Sequence, residues 1–373
     1  EEELAAPAET FLLKEAFQYR PEALGKMSIE EQRVALMQQV QLNYAVSGTF
    51  EPGSTAKSLT LATGYETGTL KDNDVFYCDG AIPVANYTIH CHMPTVCGSL
   101  HPIEALGRSC NVCLVQIGDQ IGKDLFVKYQ EIFNLGQKTG IDLPGEANTV
   151  NLIYHENNMN AIELATNTFG QGFNVTMLQL ASAYCSLLNG GYYYKPHIVT
   201  RIEDSAGNPV EEIEPVLVRR TVSEETSEKI REGLHYVTSK GTASGILNIE
   251  NYDFGGKTGA AEKLPRGTGK YVVSFIGAAP LANAELLVYV VIDEPNVEDQ
   301  SSSVPAQELA RSIFDRLLPY YGVFPETGED AYTYDWSSLR SFEGMSDSQQ
   351  GQEAVEDPYR TIDWLVDEED TRN

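Results

Sequence analysis

Strand-forming sequence in this chain is concentrated in one late stretch, and helix-forming sequence lies on both sides of it. Within residues 253–295, Tyr271-Val-Val-Ser-Phe-Ile276 and Glu285-Leu-Leu-Val-Tyr-Val-Val-Ile292 flank a short turn near Ala282-Asn283. Two β-branched, aromatic-rich runs joined in this way predict an antiparallel pair. The pattern from Gln307 to Leu318 then predicts an amphipathic helix suited to cover that pair. A doubly wound parallel sheet would need strands and helices to alternate along the chain, and they do not. The expected class is therefore α+β, or mixed α/β, with a central, mainly antiparallel sheet flanked by helices.

The first 250 residues read mostly as helix. Residues 1–50 are charged and helix-prone, and Ser28 with Glu31 three positions on forms a capping box. Gly53 to Gly64 reads as a buried helix rich in Ala, Leu and Thr. Helical signals return at 103–135 and at 176–189, where Met177, Leu180, Ala181, Tyr184, Leu187 and Leu188 recur at helical spacing. A capped helix is expected over 223–240, and a hairpin over 201–213 turning at Ala206-Gly-Asn-Pro209. Residues 74–101 are short apolar runs broken by Gly, Pro and Asn, which predicts a hairpin-bearing insert.

Charge and hydropathy narrow the function. At 373 residues the chain can bury a large core, and its 42% apolar and 21% charged residues are those of a globular protein. A formal charge of −28 argues against nucleic acid and against adhesion to anionic lipid, since both need a basic face. The chain has no apolar run long enough to span a bilayer. It begins with Glu1, so we expect a processed piece whose membrane anchor, if any, lies upstream. Residues 326–373 carry fourteen Asp and Glu against three Arg and read as a disordered acidic tail, with Trp364-Leu365-Val366 solvated in it.

Three motifs carry the chemistry. Ser54-Thr-Ala-Lys57 puts a hydroxyl and an amine one helical turn apart, on one face. A lysine acts as a base only when neutral, and the apolar Ala56, Leu59, Leu61 and Ala62 supply the burial that favours this form. Glu51-Pro-Gly53 brings Ser54 to the helix start, where the dipole favours a developing anion. Ser109-Cys-Asn111 adds a second hydroxyl, suited to proton relay, and an amide able to hold Lys57 and a substrate carbonyl. Lys257-Thr-Gly259 offers a cation and a hydroxyl for a carboxylate, and a glycine that lets a ligand chain approach the strand. Lys138-Thr-Gly140 is a second copy, but it runs into Ile-Asp-Leu-Pro-Gly145, a turn; the copy at 257 precedes the strands and is the one chosen.

With these motifs in this order, the chain resembles the transpeptidase domain of class B penicillin-binding proteins, with the flavour of Gram-positive division or sporulation enzymes. The resemblance also rests on Glu51-Pro-Gly-Ser-Thr-Ala-Lys57, Lys138-Thr-Gly-Ile-Asp-Leu-Pro-Gly-Glu146, Phe169-Gly-Gln-Gly172 with Val175-Thr176, Asn189-Gly-Gly191 with Lys195-Pro-His197, and Ser274-Phe-Ile-Gly277. It implies the fold shared with serine β-lactamases, including an all-helical subdomain, over a transpeptidase domain of residues 1–325 whose N-terminal part is incomplete. It further implies Ser54 as acylated nucleophile, Lys57 as its base, Ser109 and Asn111 as proton relay and positioning groups, and Lys257 and Thr258 on the substrate carboxylate. The backbone N–H groups of Ser54 and Ala260 would form the oxyanion hole. The family has Thr where this chain has Ala260, so a hydroxyl that helps hold the carboxylate is lost. Expected ligands are D-Ala-D-Ala stem peptides and β-lactams, with a glycosyltransferase as partner, no cofactor, and a location on the outer face of the bacterial membrane. Rival readings are a serine β-lactamase, a D,D-carboxypeptidase, and a non-catalytic scaffold or β-lactam sensor.

Cys78, His90, Cys91, His92, Cys97 and His101 crowd one short segment of the insert. Cys78 and Cys91 can form a disulfide across a hairpin, or Cys78, Cys91 and Cys97 can hold a structural zinc with one histidine. Free thiols are the third possibility. Cys113 and Cys185, in apolar helices, read as small core residues.

Overall fold

The late β-branched runs pair as their short turn requires. A computed structural model describes residues 5, 7–17, 20–91, 96–247 and 252–323. In chain order the strands are β1 (Phe76–Cys78), β2 (Ala81–Val84), β3 (Tyr87–His90), β4 (Gly98–Leu100), β5 (Tyr192–Tyr194), β6 (Arg201–Glu203), β7 (Pro209–Glu212), β8 (Leu217–Arg220), β9 (Gly255–Glu262), β10 (Tyr271–Ala279) and β11 (Leu286–Asp293). The last three make one antiparallel sheet in the order β11-β10-β9. In its register Lys257 faces Ile276, Gly259 faces Ser274 and Ala260 faces Val273. β10, the central strand, is buried almost throughout, while β9 is an edge with no strand on its outer side among the described residues.

The main helices are α1 (Ile29–Val40), α2 (Lys57–Glu66), α3 (Pro102–Gly107), α4 (Asn111–Ile121), α5 (Lys123–Ile132), α6 (Met177–Leu188), α7 (Glu224–Ser239) and α8 (Val304–Tyr320). Their starts follow from side-chain caps. Ser28 with Glu31 and Thr176 with Gln179 close reciprocal capping boxes on α1 and α6, and Ser223 Oγ accepts from Thr226 N–H at α7. Each cap satisfies backbone donors that a helix start leaves open, worth about 1 kcal/mol. The helical signal over 103–135 splits into three pieces. Ser109, at φ +54°, breaks it between α3 and α4, and Gly122, at φ +79°, breaks it between α4 and α5.

One core joins these layers. Leu61, Leu114, Ile117, Leu180, Leu187 and Leu234 on the helices meet Phe275 and Ile276 on β10. α7 packs on β9 and α8 on β10 and β11, with the Phe254 ring edge-on to Phe314 at 4.7 Å. The expected insert is two small sheets, β1 with β4 and β2 with β3, and the hairpin β6–β7 turns where Ala206-Gly-Asn-Pro209 predicted it. Cys185 departs from expectation. It is exposed on α6, on the outward stripe with Leu178 and Ala181, while Cys113 is buried as expected. The acidic stretch 326–373 lies outside the described residues, as does His92.

The entry to α2 is fixed by backbone packed directly on backbone. Gly53 N–H donates to the Gly170 carbonyl at 2.9 Å, and Gly170, at φ +87°, lies so close that a Cβ would overlap the Gly53 carbonyl oxygen. Both the conformation and the space therefore demand glycine at 170. Gly170→Ala should destabilise the fold by about 1–3 kcal/mol in a urea titration, the usual cost of overpacking. Unchanged stability would mean that the contact yields freely.

Candidate active site

Ser54 sits on a single 3-10 turn, Gly53–Ala56, that leads into α2 at Lys57. The expected buried helix thus begins with a tighter turn. Behind it the buried Tyr184 hydroxyl donates to the Thr55 carbonyl at 2.6 Å and lies 2.9 Å from Ser58 Oγ, and Thr60 Oγ1 donates to the Thr168 carbonyl at 2.8 Å. Polar groups inside a core need such partners, so these bonds fix where α2 lies.

Lys57 is wholly buried. Its Nζ donates to the Ser109 carbonyl at 2.6 Å, to Ser109 Oγ at 3.0 Å and to Asn111 Oδ1 at 2.7 Å. Three acceptors match the three N–H bonds of an ammonium. Ser54 Oγ is not among the hydrogen-bond partners of Lys57, although the two residues share one turn. Burial lowers the Lys57 pKa to about 8, because removing water disfavours the charged amine. At pH 7 about a tenth of it is then neutral, with a lone pair in place of one N–H, and at pH 8 about half.

Lys257, on β9, is also wholly buried. Its Nζ donates to Ser109 Oγ at 3.1 Å, to the Thr258 carbonyl at 3.0 Å and to Thr258 Oγ1 at 3.3 Å. Burial, and after it the nearby Lys57 charge, hold its pKa well below the usual lysine value. One hydroxyl, that of Ser109, therefore bridges both lysines. It can accept from both and still donate its own proton. The Ser109 backbone lies in the left-handed region at φ +54°, a conformation a serine holds only when its surroundings require it.

The pleat of β9 sorts the third motif. Lys257 and Gly259 lie on one face of the strand, and Thr258 and Ala260 on the other. Sequence reasoning assigned the bare face of Gly259 to an approaching ligand. That space is filled by the protein: a Cβ there would overlap Ser274 Oγ and lie 3.0 Å from Thr55 Cγ2 and 3.1 Å from the Pro52 carbonyl. Gly259 thus lets β9 pack against the Ser54 turn. Thr258 Oγ1 is 3.1 Å from Thr242 Oγ1, a hydroxyl that no motif singled out. Glu51 was also missed in its particular role. It accepts from Gly172 N–H at 3.0 Å and pairs with Arg266 at 2.6 Å, tying the Ser54 approach to the loop after β9. The decoy Lys138-Thr-Gly140 is a closed turn, in which Glu146 accepts from Thr139 N–H, Thr139 Oγ1 and Gly140 N–H.

The insert reaches this site. Asn111 Nδ2 donates to the His90 carbonyl at 3.3 Å, so the amide expected to face a substrate carbonyl is tethered to β3 on its NH₂ side. Cys78 and Cys91 are not joined in a disulfide. The expected histidine partner for the cysteines is not found among the described residues. His101 Nδ1 lies 3.0 Å from the Asp74 carbonyl, and Cys110 Sγ lies 3.6 Å from Cys91 Sγ. Taken together, a hydroxyl at a helix start, a readily neutralised lysine beside it, a bridging hydroxyl and a second buried cation suit nucleophilic acyl transfer without a histidine.

Comparison with known proteins agrees. The chain matches the family described as "Penicillin binding protein transpeptidase domain" over residues 19–315. Stage V sporulation protein D of Bacillus subtilis is 35% identical over 306 residues, covering 81% of this chain and 47% of the relative. Penicillin-binding protein PbpB of Mycolicibacterium smegmatis is 28% identical over 299 residues, covering 75% and 45%. The chain therefore spans about half the length of these relatives. Among solved structures, penicillin binding protein 3 of Mycobacterium tuberculosis, complexed with aztreonam, is 26% identical with a TM-score of 0.67, over 76% of this chain and 65% of that one. The family match over most of the chain, the 35% identical relative and the common fold make this chain a member of the penicillin-binding protein transpeptidase-domain family, class B.

Proposed function

We propose that the chain is the catalytic domain, residues 1–325, of a peptidoglycan D,D-transpeptidase that works through a Ser54 acyl-enzyme. The observation that carries this reading is the fully buried Lys57, bonded to Ser109 and Asn111 one turn from Ser54. Neutral Lys57 takes the Ser54 proton as Oγ attacks the carbonyl of the penultimate D-Ala of a stem peptide. The N–H groups of Ser54 and Ala260 stabilise the oxyanion. Ser109, bridging Lys57 and Lys257, passes a proton to the departing D-Ala amine. Lys257 and Thr258, with Thr242 beside them, attract the terminal carboxylate to the open edge of β9, where a peptide can add as a strand. The amine of a neighbouring stem peptide then attacks the ester, releases Ser54 and completes the cross-link. A β-lactam acylates Ser54 by the same route, its ring opening instead of losing D-Ala. Such a domain works outside the cytoplasmic membrane alongside a glycosyltransferase. No helix among the described residues is long and apolar enough to cross a membrane.

Incubation with fluorescent penicillin should add one adduct by intact mass, and Ser54→Ala should abolish it. An unlabelled parent protein would sink the reading. Rapid repeated turnover of nitrocefin would favour a β-lactamase instead.

The acylation rate constant should rise with pH and reach half its maximum near pH 8, because the base works only above the Lys57 pKa. A profile flat from pH 6.5 to 9.5 would remove Lys57 from that role.

Ala260→Thr should speed β-lactam acylation about two- to tenfold, the equivalent of one neutral hydrogen bond. A slower variant would show that position 260 does not face the carboxylate.

A further inference from the structure

Four cysteine sulfurs converge beside the lysine pair, all within 4.8 Å of one another. Cys78 ends β1, Cys91 directly follows β3, Cys97 directly precedes β4, and Cys110 caps α4. Cys78 and Cys110 are buried and the other two half-buried. Two sulfurs bound at about 2.3 Å to one tetrahedral zinc ion stand about 3.8 Å apart. Cys91 Sγ lies 3.8 Å from Cys97 Sγ and 3.6 Å from Cys110 Sγ. A disulfide would need about 2.05 Å, and it gathers sulfurs in twos. A polynuclear iron–sulfur cluster sets irons and sulfides between its thiolates and so holds them farther apart.

The surroundings also call for a staple. The insert consists of two-stranded sheets of three and four residues per strand, too small to be stable on their own. Three of the cysteines come from its strand ends, and the fourth comes from the turn that carries Ser109 and Asn111.

We propose that Cys78, Cys91, Cys97 and Cys110 bind one zinc ion as a closed tetrathiolate site that clamps the insert to the Ser109-Cys110-Asn111 turn. Binding exchanges four thiol protons for one Zn²⁺, with no change of oxidation state, and leaves a site of net charge −2 at the positive end of α4. Cys110 sits between the residue whose left-handed backbone the site requires and the residue whose amide holds Lys57. Asn111 is also tied to the His90 carbonyl, next to Cys91. The ion thereby positions both partners of Lys57 without touching substrate.

The metal assignment stands apart from the transpeptidase reading, and only its effect on acylation rests on that reading. Protein purified without chelator should carry about one zinc per chain by plasma mass spectrometry. Under native conditions Cys185 should alkylate at the same rate with or without a chelator, and the four clustered cysteines only after a chelator is added. Cys97→Ser, at the half-buried rim, should lose most of the zinc, whereas Cys185→Ser should keep it. Should Cys97→Ser not fold, cobalt substitution of the parent should give the visible spectrum of a tetrahedral tetrathiolate. Chelation should slow penicillin acylation at least about tenfold, as loss of outer-shell support does elsewhere, and added zinc should restore it. Protein without zinc whose clustered thiols alkylate as fast with chelator as without, a mass deficit that signals disulfides, or bound iron would each overturn the assignment. Zinc without any acylation would fault the transpeptidase reading alone, and acylation at full rate after zinc is removed would overturn the ion's positioning role.

Discussion

A single buried ammonium holds this site together. Lys57 is out of reach of water, and every N–H it can offer as a cation is taken by the turn at 109–111. Burying a lysine is costly unless its donors are met, so α2 and the start of α4 are bound to one geometry. The strained Ser109 backbone makes sense in this light. Its carbonyl and hydroxyl both face the lysine only because the residue lies in the left-handed region.

The second lysine extends the same logic to the sheet. Lys257 bonds to the Ser109 hydroxyl as well, so the edge strand, the helix that begins at Lys57 and the turn at 109–111 meet at one oxygen. Two cations so close compete for charge, which is why burial and mutual repulsion act in the same direction on Lys257. The result is a site whose protonation changes at little cost.

Much of this arrangement was legible in the chain. Helix starts could be read because caps are local: Ser28 and Glu31, or Thr176 and Gln179, need only each other. The antiparallel pair could be read because a short turn leaves its strands little choice of partner. What escaped notice depends on partners far away in sequence. Nothing near Glu51 announces Arg266, and nothing near Gly259 announces that Thr55 and Ser274 fill the space beside it. The sequence offered Cys78, Cys91 and Cys97 with a histidine as a zinc set, whereas the structure groups those three sulfurs with a cysteine from outside the insert. That cysteine, Cys110, lies between Ser109 and Asn111, where the sequence reading gave it no role of its own. Cys185 was misjudged for a simpler reason: an apolar helix still has an outer stripe.

The glycine contact at the entry to α2 bears on how such a site can change. Gly53 and Gly170 meet through backbone alone, so no side chain there can be trimmed or lengthened to shift Ser54 by degrees. Any change in what the site accepts would instead be written around it, at residues such as Ala260, Thr242 and Arg266, whose side chains can differ while the turn they surround stays still. The Ser54 turn behaves as a fixed datum, around which the rest of the site can be altered.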